Sequence, residues 1–97
     1  MSALFVAFIT ADSTVDPNSQ VFIYDASSNG ITHTLPEASG NDGQNYSFKR
    51  QDTVSSNTVT LVGASSGETI DGNVSLTFNP GDKYFIVSWG GVWYTIA

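Results

Sequence analysis

An all-β fold of sandwich or barrel type is what this sequence predicts, and three observations carry it. Short apolar or alternating runs recur every ~8–12 residues, bounded by Gly, Pro, Asn, Asp or Ser. No segment shows the 3.6-residue apolar period of an amphipathic helix. Ser, Thr, Asn, Asp, Gly and Pro make up about half of the 97 residues, beside six Phe, four Tyr and two Trp. Aromatic and β-branched runs joined by turn formers favour strands over helices.

The first run, residues 3–9 (ALFVAFI), is apolar on both faces, with Ala3, Phe5, Ala7 and Ile9 opposite Leu4, Val6 and Phe8. Such a strand is expected to be covered twice, inside the fold or by a neighbouring subunit. It is too short for a membrane span and has no basic flank, so a signal peptide does not fit. Residues 12–20 form a polar loop broken by Pro17, and residues 21–25 (VFIYD) a second strand apolar on both faces. Asn29-Gly30 reads as a hairpin turn. Ile31, His33 and Leu35 then alternate with Thr32 and Thr34 up to Pro36.

Residues 37–43 (EASGNDG) are the longest polar loop. Tyr46, Phe48 and Arg50 alternate with Ser47 and Lys49, and Val59 and Leu61 with Thr58, Thr60 and Val62. Residues 69–72 (TIDG) are a tight corner, followed by Val74, Leu76 and Phe78 alternating with Ser75 and Thr77. Asn79-Pro80-Gly81-Asp82 is a strong turn. A last hairpin, residues 83–89 and 92–96, closes around Gly90-Gly91.

The length suits one domain, and one this small is stable alone only with good packing or with partners. Nine carboxylates against Lys49, Arg50 and Lys83 leave a net charge of −6. Three cations make no phosphate-neutralising patch, so neither nucleic acid nor an anionic membrane is an expected partner. There is no Cys, hence no disulfide framework and no thiolate metal site.

Few residues suggest chemistry. His33, the only histidine, would need an orienting carboxylate and a nucleophile to act as a base; the plainer reading is a core or interface imidazole bonded to a backbone group. Asp12, Asp16 and Asn18, and Asn41, Asp42 and Asn45, are oxygen-rich loop clusters. Neither has the spacing of a calcium loop, and Asx side chains serve loops by bonding nearby backbone. Trp89, Trp93, Tyr94, Tyr84 and Tyr24 could stack on sugars. Alternation with Phe85 and Val87 instead buries Trp89, in the core or at an interface. Glu68 and Asp71 do not make a glycosidase pair on spacing alone. The expectation is no enzyme, no cofactor and no metal.

From residue 21 onward the order of motifs resembles the small β domains of tailed-phage fibres, spikes and head fibres. The segments that match are residues 21–25, 31–36 (ITHTLP), 43–52 (GQNYSFKRQD), 57–61 (NTVTL), 69–72 (TIDG) and 88–96 (SWGGVWYTI). The resemblance covers about three quarters of the chain, with His33 where that family usually carries Val or Ile. It implies an antiparallel β-sandwich, jelly-roll or tumour-necrosis-factor-like, assembled as a homotrimer on a virion. It also implies an inward Trp93 and a structural job for Lys49-Arg50, such as a salt bridge to Asp25 or Asp71; a grip on an acidic glycan or phosphate is the alternative.

The two-sided strands support association without the resemblance, because their second faces and edges need cover. Phe5, Phe8, His33, Phe85 and Trp89 are the expected trimer interface or axis, where three copies of His33 could hold an ion. Asp12, Asp16, Asn18, Asn41, Asp42 and Asn45, in the loops of residues 12–20 and 37–45, are the expected receptor contacts. The expected partners are other copies of the chain, other virion proteins, and a host-surface glycan or protein. A structural cement or trimerisation domain without a receptor, and a carbohydrate-binding module, are the alternatives.

Overall fold

The computed structural model describes residues 5–64 and 67–97; Ala3 and Leu4 of the expected first strand lie outside them. Every regular element among the described residues is a strand: β1 Val6–Ile9, β2 Ser13–Thr14, β3 Val21–Tyr24, β4 Ile31–Thr34, β5 Asn45–Arg50, β6 Val59–Val62, β7 Ser75–Phe78, β8 Lys83–Trp89 and β9 Val92–Thr95. All but β2 fall in runs the sequence marks as strands. β2 arises inside the first polar loop, where Ser13 and Thr14 pair with His33 and Thr34.

The strands make a five-stranded sheet, order β1-β3-β5-β8-β9, and a four-stranded sheet, order β2-β4-β6-β7. Both are mixed, which corrects the expected antiparallel pairing. β1-β3, β3-β5, β2-β4 and β4-β6 are parallel; β5-β8, β8-β9 and β6-β7 are antiparallel. A jelly roll is built from antiparallel strands, so this order departs from it. The reason lies in the path of the chain. From β1 to β6 successive strands alternate between the sheets, so each strand returns to its own sheet only after crossing the other. That detour supplies the long crossover a parallel pair requires.

Asn29-Gly30 is accordingly no hairpin turn, because β3 and β4 belong to different sheets. The glycine serves a close approach: a Cβ on Gly30 would meet the Thr58 carbonyl oxygen at 3.1 Å, the oxygen that accepts from the Ile31 amide. Gly90-Gly91 does close a two-residue hairpin, both residues at the positive φ such a loop needs. Asn79-Pro80-Gly81-Asp82 carries β7 across to β8 with Gly81 at φ 89°, and the Asp82 amide donates to the Asn79 carbonyl.

The inner faces of both sheets share one apolar cluster. Phe22, Tyr24, Tyr46, Phe48, Ile86 and Trp93 come from the five-stranded sheet, and Ile31, Val59, Leu61 and Phe78 from the four-stranded one. Rings meet across the gap, Phe22 with His33 at 5.2 Å and Tyr24 with Phe78 at 5.2 Å between centroids. Burying a Phe-sized side chain contributes about 2–3 kcal/mol relative to exposure. The shortest dimension, 22 Å, is what two layers about 10 Å apart plus their outer side chains occupy.

Burial in the single chain bears on three expectations about faces and corrects the one for His33. Trp93 is inward as expected, but Trp89 is 66 % exposed. Alternation correctly grouped Trp89 with Phe85 and Val87; the face they share is the outer one, since Ile86 and Ser88 take the buried positions. β1 is covered on one face only: Ala7 and Ile9 pack on the core, while Val6 and Phe8 face outward. His33 has no exposed surface in a single chain, so it cannot sit on an axis between copies.

Candidate functional site

Two buried polar groups are structural. Arg50 lies on the inner side of β5, opposite in direction to the exposed Lys49. Its guanidinium makes a two-point bond to Asp52, from Nε to Oδ1 and from Nη2 to Oδ2, at 3.0 and 3.1 Å. It also donates to the carbonyls of Phe78, Val54 and Asn57, each at 2.8 Å. Asp52 in turn accepts from the amides of Ala26 and Val54. The partner is therefore Asp52 and neither Asp25 nor Asp71; a carboxylate two residues away reaches the guanidinium where the strand ends. Arg50 holds the Asp52 carboxyl well below the usual carboxylate range, with burial opposing more weakly. One ion pair thus ties the ends of β3, β5 and β7 to the turn before β6.

His33 sits among Phe22, Tyr24 and Phe48. Its Nδ1 is 2.6 Å from the Tyr24 hydroxyl, a side-chain partner rather than the expected backbone group, and its Nε2 has no partner among the described residues. Burial lowers its pKa to about 4 and raises that of Tyr24, so the pair is neutral at ordinary pH. Among the described residues no group of three His, Cys, Asp or Glu is placed to hold a metal.

The carboxylates Glu68 and Asp71 serve separate turns. Glu68 accepts from the amides of Ala38 and Ser39. Asp71, at φ 54°, accepts from the amide and hydroxyl of Thr95.

Of the six expected receptor contacts, several are engaged within the chain. Asp12 accepts from the Thr32 amide, Asp16 from the Asn18 amide and Ser19 hydroxyl, and Asp42 from the Gly90 amide. Asn41 donates to the carbonyls of Glu37 and Ser39. Asn18 and Asn45, one from each loop, line a common cavity of about 210 Å³ with Phe5, Pro17, Ser19, Gln20, Gln44 and Tyr46. It opens at the end of the five-stranded sheet from which parallel β1, β3 and β5 set out. Gln20 and Gln44 were not expected here. Their signal is position, each directly preceding a core strand.

The other feature is the outer face of that sheet. Directly paired residues share a face. Pairing sets Val6 beside Val21, Phe8 beside Ile23, Ser47 beside Phe85, Val87 beside Tyr94, and Trp89 beside Val92. Phe8, Trp89 and Ile96 are 59, 66 and 62 % exposed. The expected interface residues Phe8, Phe85 and Trp89 thus share one face, Phe8 at one corner on β1 and Trp89 at the opposite end of β8, whereas Phe5 lies at the strand ends and His33 in the core. The middle of the face is lower, because β5 contributes Asn45, Ser47 and Lys49. A cavity of about 260 Å³ opens there, lined by Val21, Ser47, Lys49, Lys83, Phe85 and Ala97 among others.

The four-stranded sheet differs on its outer side, which carries a row of paired threonines, Thr32, Thr60 and Thr77. No protein-family model matches this chain, and the search of curated proteins finds no match.

Proposed function

We propose that this chain is a self-assembling β-sandwich domain of a virion fibre or spike. It forms a homotrimer through the outer face of its five-stranded sheet and contributes to attachment at a host surface. The observation that carries the reading is the apolar outer face. Parallel sheets are ordinarily covered on both sides, and the described residues of one chain cover only the inner side of β1, β3 and β5. An uncovered sheet face that carries several large exposed apolar side chains, Val6, Phe8, Trp89, Tyr94 and Ile96, marks an association site.

Charge favours another copy of the same chain as the cover. The paired positions of this face include Lys49 and Lys83 and no carboxylate, so stacking copies on it does not juxtapose the acidic groups behind the net charge of −6. Shape favours it too: the face offers a projecting Trp89 and a depression over Ser47, the unlike parts a closed ring of copies needs. Several weak surface contacts per assembly would then act by avidity.

Light scattering coupled to gel filtration tests this. The expected mass is three chains, persisting on dilution, and Phe8→Ser with Trp89→Ser should reduce it to one. A stable monomer of the unmodified chain overturns the reading. A purely structural role, as cement or trimerisation domain without a receptor, is the second reading; it is favoured by the loop side chains Asp12, Asp16, Asn41 and Asp42 being bonded within the chain.

A further inference from the structure

We propose that the cavity between Phe5, Asn18, Gln20, Gln44 and Asn45 is a binding site for one neutral sugar ring of a glycan. The inference deepens the attachment reading above and rests on it, since it names the class of surface ligand. Three features of the cavity carry it.

The first is the chemistry of the lining. Four amide-bearing residues, Asn18, Gln20, Gln44 and Asn45, line one cavity, and an amide offers both a donor and an acceptor on one rigid plane. Vicinal hydroxyls of a pyranose present the same alternation, so two neighbouring hydroxyls satisfy one amide. Part of this capacity is already spent: Gln20 Nε2 donates to Asn45 Oδ1 at 3.2 Å, Asn45 Nδ2 to the Gly43 carbonyl, and the Tyr46 hydroxyl to Gln44 Oε1. These bonds fix the amides in place. Among the described residues, the Asn18 side-chain amide, Gln20 Oε1 and Gln44 Nε2 have no protein hydrogen-bond partner and belong to residues that line the cavity.

The second is Phe5. Its ring is 73 % exposed at the rim of a polar cavity, held there because its carbonyl accepts from the amides of Gln20 and Val21. An exposed aromatic face beside converging polar groups suits a ring that has an apolar face and a hydroxyl edge.

The third is charge. No Lys, Arg or His side chain lines the cavity, and the Asp16 carboxylate lies near enough to raise the Tyr46 hydroxyl's pKa beyond the effect of burial. A sialic or uronic acid would meet a negative field with no cation to pair with, whereas a neutral hexose meets no such penalty. The size, about 210 Å³, holds a single ring, below the usual range of drug-sized pockets. Affinity per site is therefore millimolar in order, and useful attachment depends on several copies.

The test is an amide-resolved NMR titration of the intact chain with methyl galactoside, methyl mannoside and methyl glucoside, with N-acetylneuraminic acid as the charged comparator. The expected result is a saturable shift with at least one neutral glycoside, centred on residues 18–20 and 44–46 and absent with the acid. Asn18→Ala, at the surface, and Gln44→Ala, at a half-buried position, should keep the dispersed spectrum and each weaken binding about five- to tenfold, the worth of about one hydrogen bond. No saturable shift at high millimolar glycoside overturns the proposal. So does a response that maps elsewhere, survives both substitutions, or is as strong with the acid. A trimer that binds no sugar refutes this site and leaves the assembly reading standing; a monomer that binds sugar here does the reverse, and fits a carbohydrate-binding module.

Discussion

Replacing Asp52 with Ala should be among the most damaging single changes in this chain. The Arg50 guanidinium it pairs with has 1 % of its surface exposed and cannot turn to water. Three carbonyls would still accept from it, those of Phe78, Val54 and Asn57, but its charge would be unbalanced in the interior. Removing one partner of a buried pair costs about 3–5 kcal/mol, mostly the penalty of the charge left behind. The amides of Ala26 and Val54 lose their acceptor as well, so the upper part of that range is expected. A domain of this size has a total stability of about 5–15 kcal/mol. Urea unfolding at fixed chain concentration is the assay, since association also contributes to apparent stability. The discriminating comparison is the double variant Arg50→Met with Asp52→Ala, which removes both charges and should recover about 2 kcal/mol or more of the single variant's loss. A loss below about 1 kcal/mol for Asp52→Ala, or a double variant worse than the sum of the singles, refutes the argument.

Acid should destabilise the chain in two stages. The folded-state pKa of His33 is depressed to about 4 from 6.5, so the unfolded chain takes up a proton first as pH falls below about 6.5. Stability is then lost down to about pH 4, by at most ~3 kcal/mol; His33→Ile should flatten that segment of a pH–stability curve and cost about 1–3 kcal/mol at pH 7 by leaving the Tyr24 hydroxyl unpaired. The Asp52 pKa is also depressed, so its contribution is present above the unfolded value near 4 and is lost below it; Asp52→Asn should remove that acid limb. Gly63→Ala would set a Cβ 2.7 Å from the Glu68 carbonyl oxygen, and a thermal melt should show a loss of about 1–3 kcal/mol. Gly30→Ala, at 3.1 Å from a carbonyl oxygen, should cost less in the same melt.

The alternation of Tyr46, Phe48 and Arg50 against Ser47 and Lys49 was enough to place β5 and to divide its faces, because the strand repeat of two is a property of the local backbone. The same holds for Ile31, His33 and Leu35, for the Gly90-Gly91 hairpin, and for Pro80-Gly81, whose φ requirements belong to single residues. What the alternation could not decide was which of two apolar faces is the inner one. That left open whether Trp89 and the second face of β1 pack in the core or against a neighbouring subunit.

The candidate sites divide in the same way. Loop polarity was legible, but the meeting of Asn18 with Asn45, and the recruitment of Gln20 and Gln44, depends on parallel β3 and β5 starting side by side. Alternation set Arg50 on the face of Tyr46 and Phe48, and the resemblance implied a salt bridge; that the partner is Asp52 follows only from the path of the chain after β5. The sequence by itself determined the strands, their two faces, most of the turns and the shortage of charge, all set by neighbours along the chain. Only the tertiary structure decided that successive strands alternate between two sheets, that their pairs are largely parallel, and that one sheet turns an apolar face outward. Pairing partners are chosen by burial summed over both layers, and no window of the sequence contains that sum.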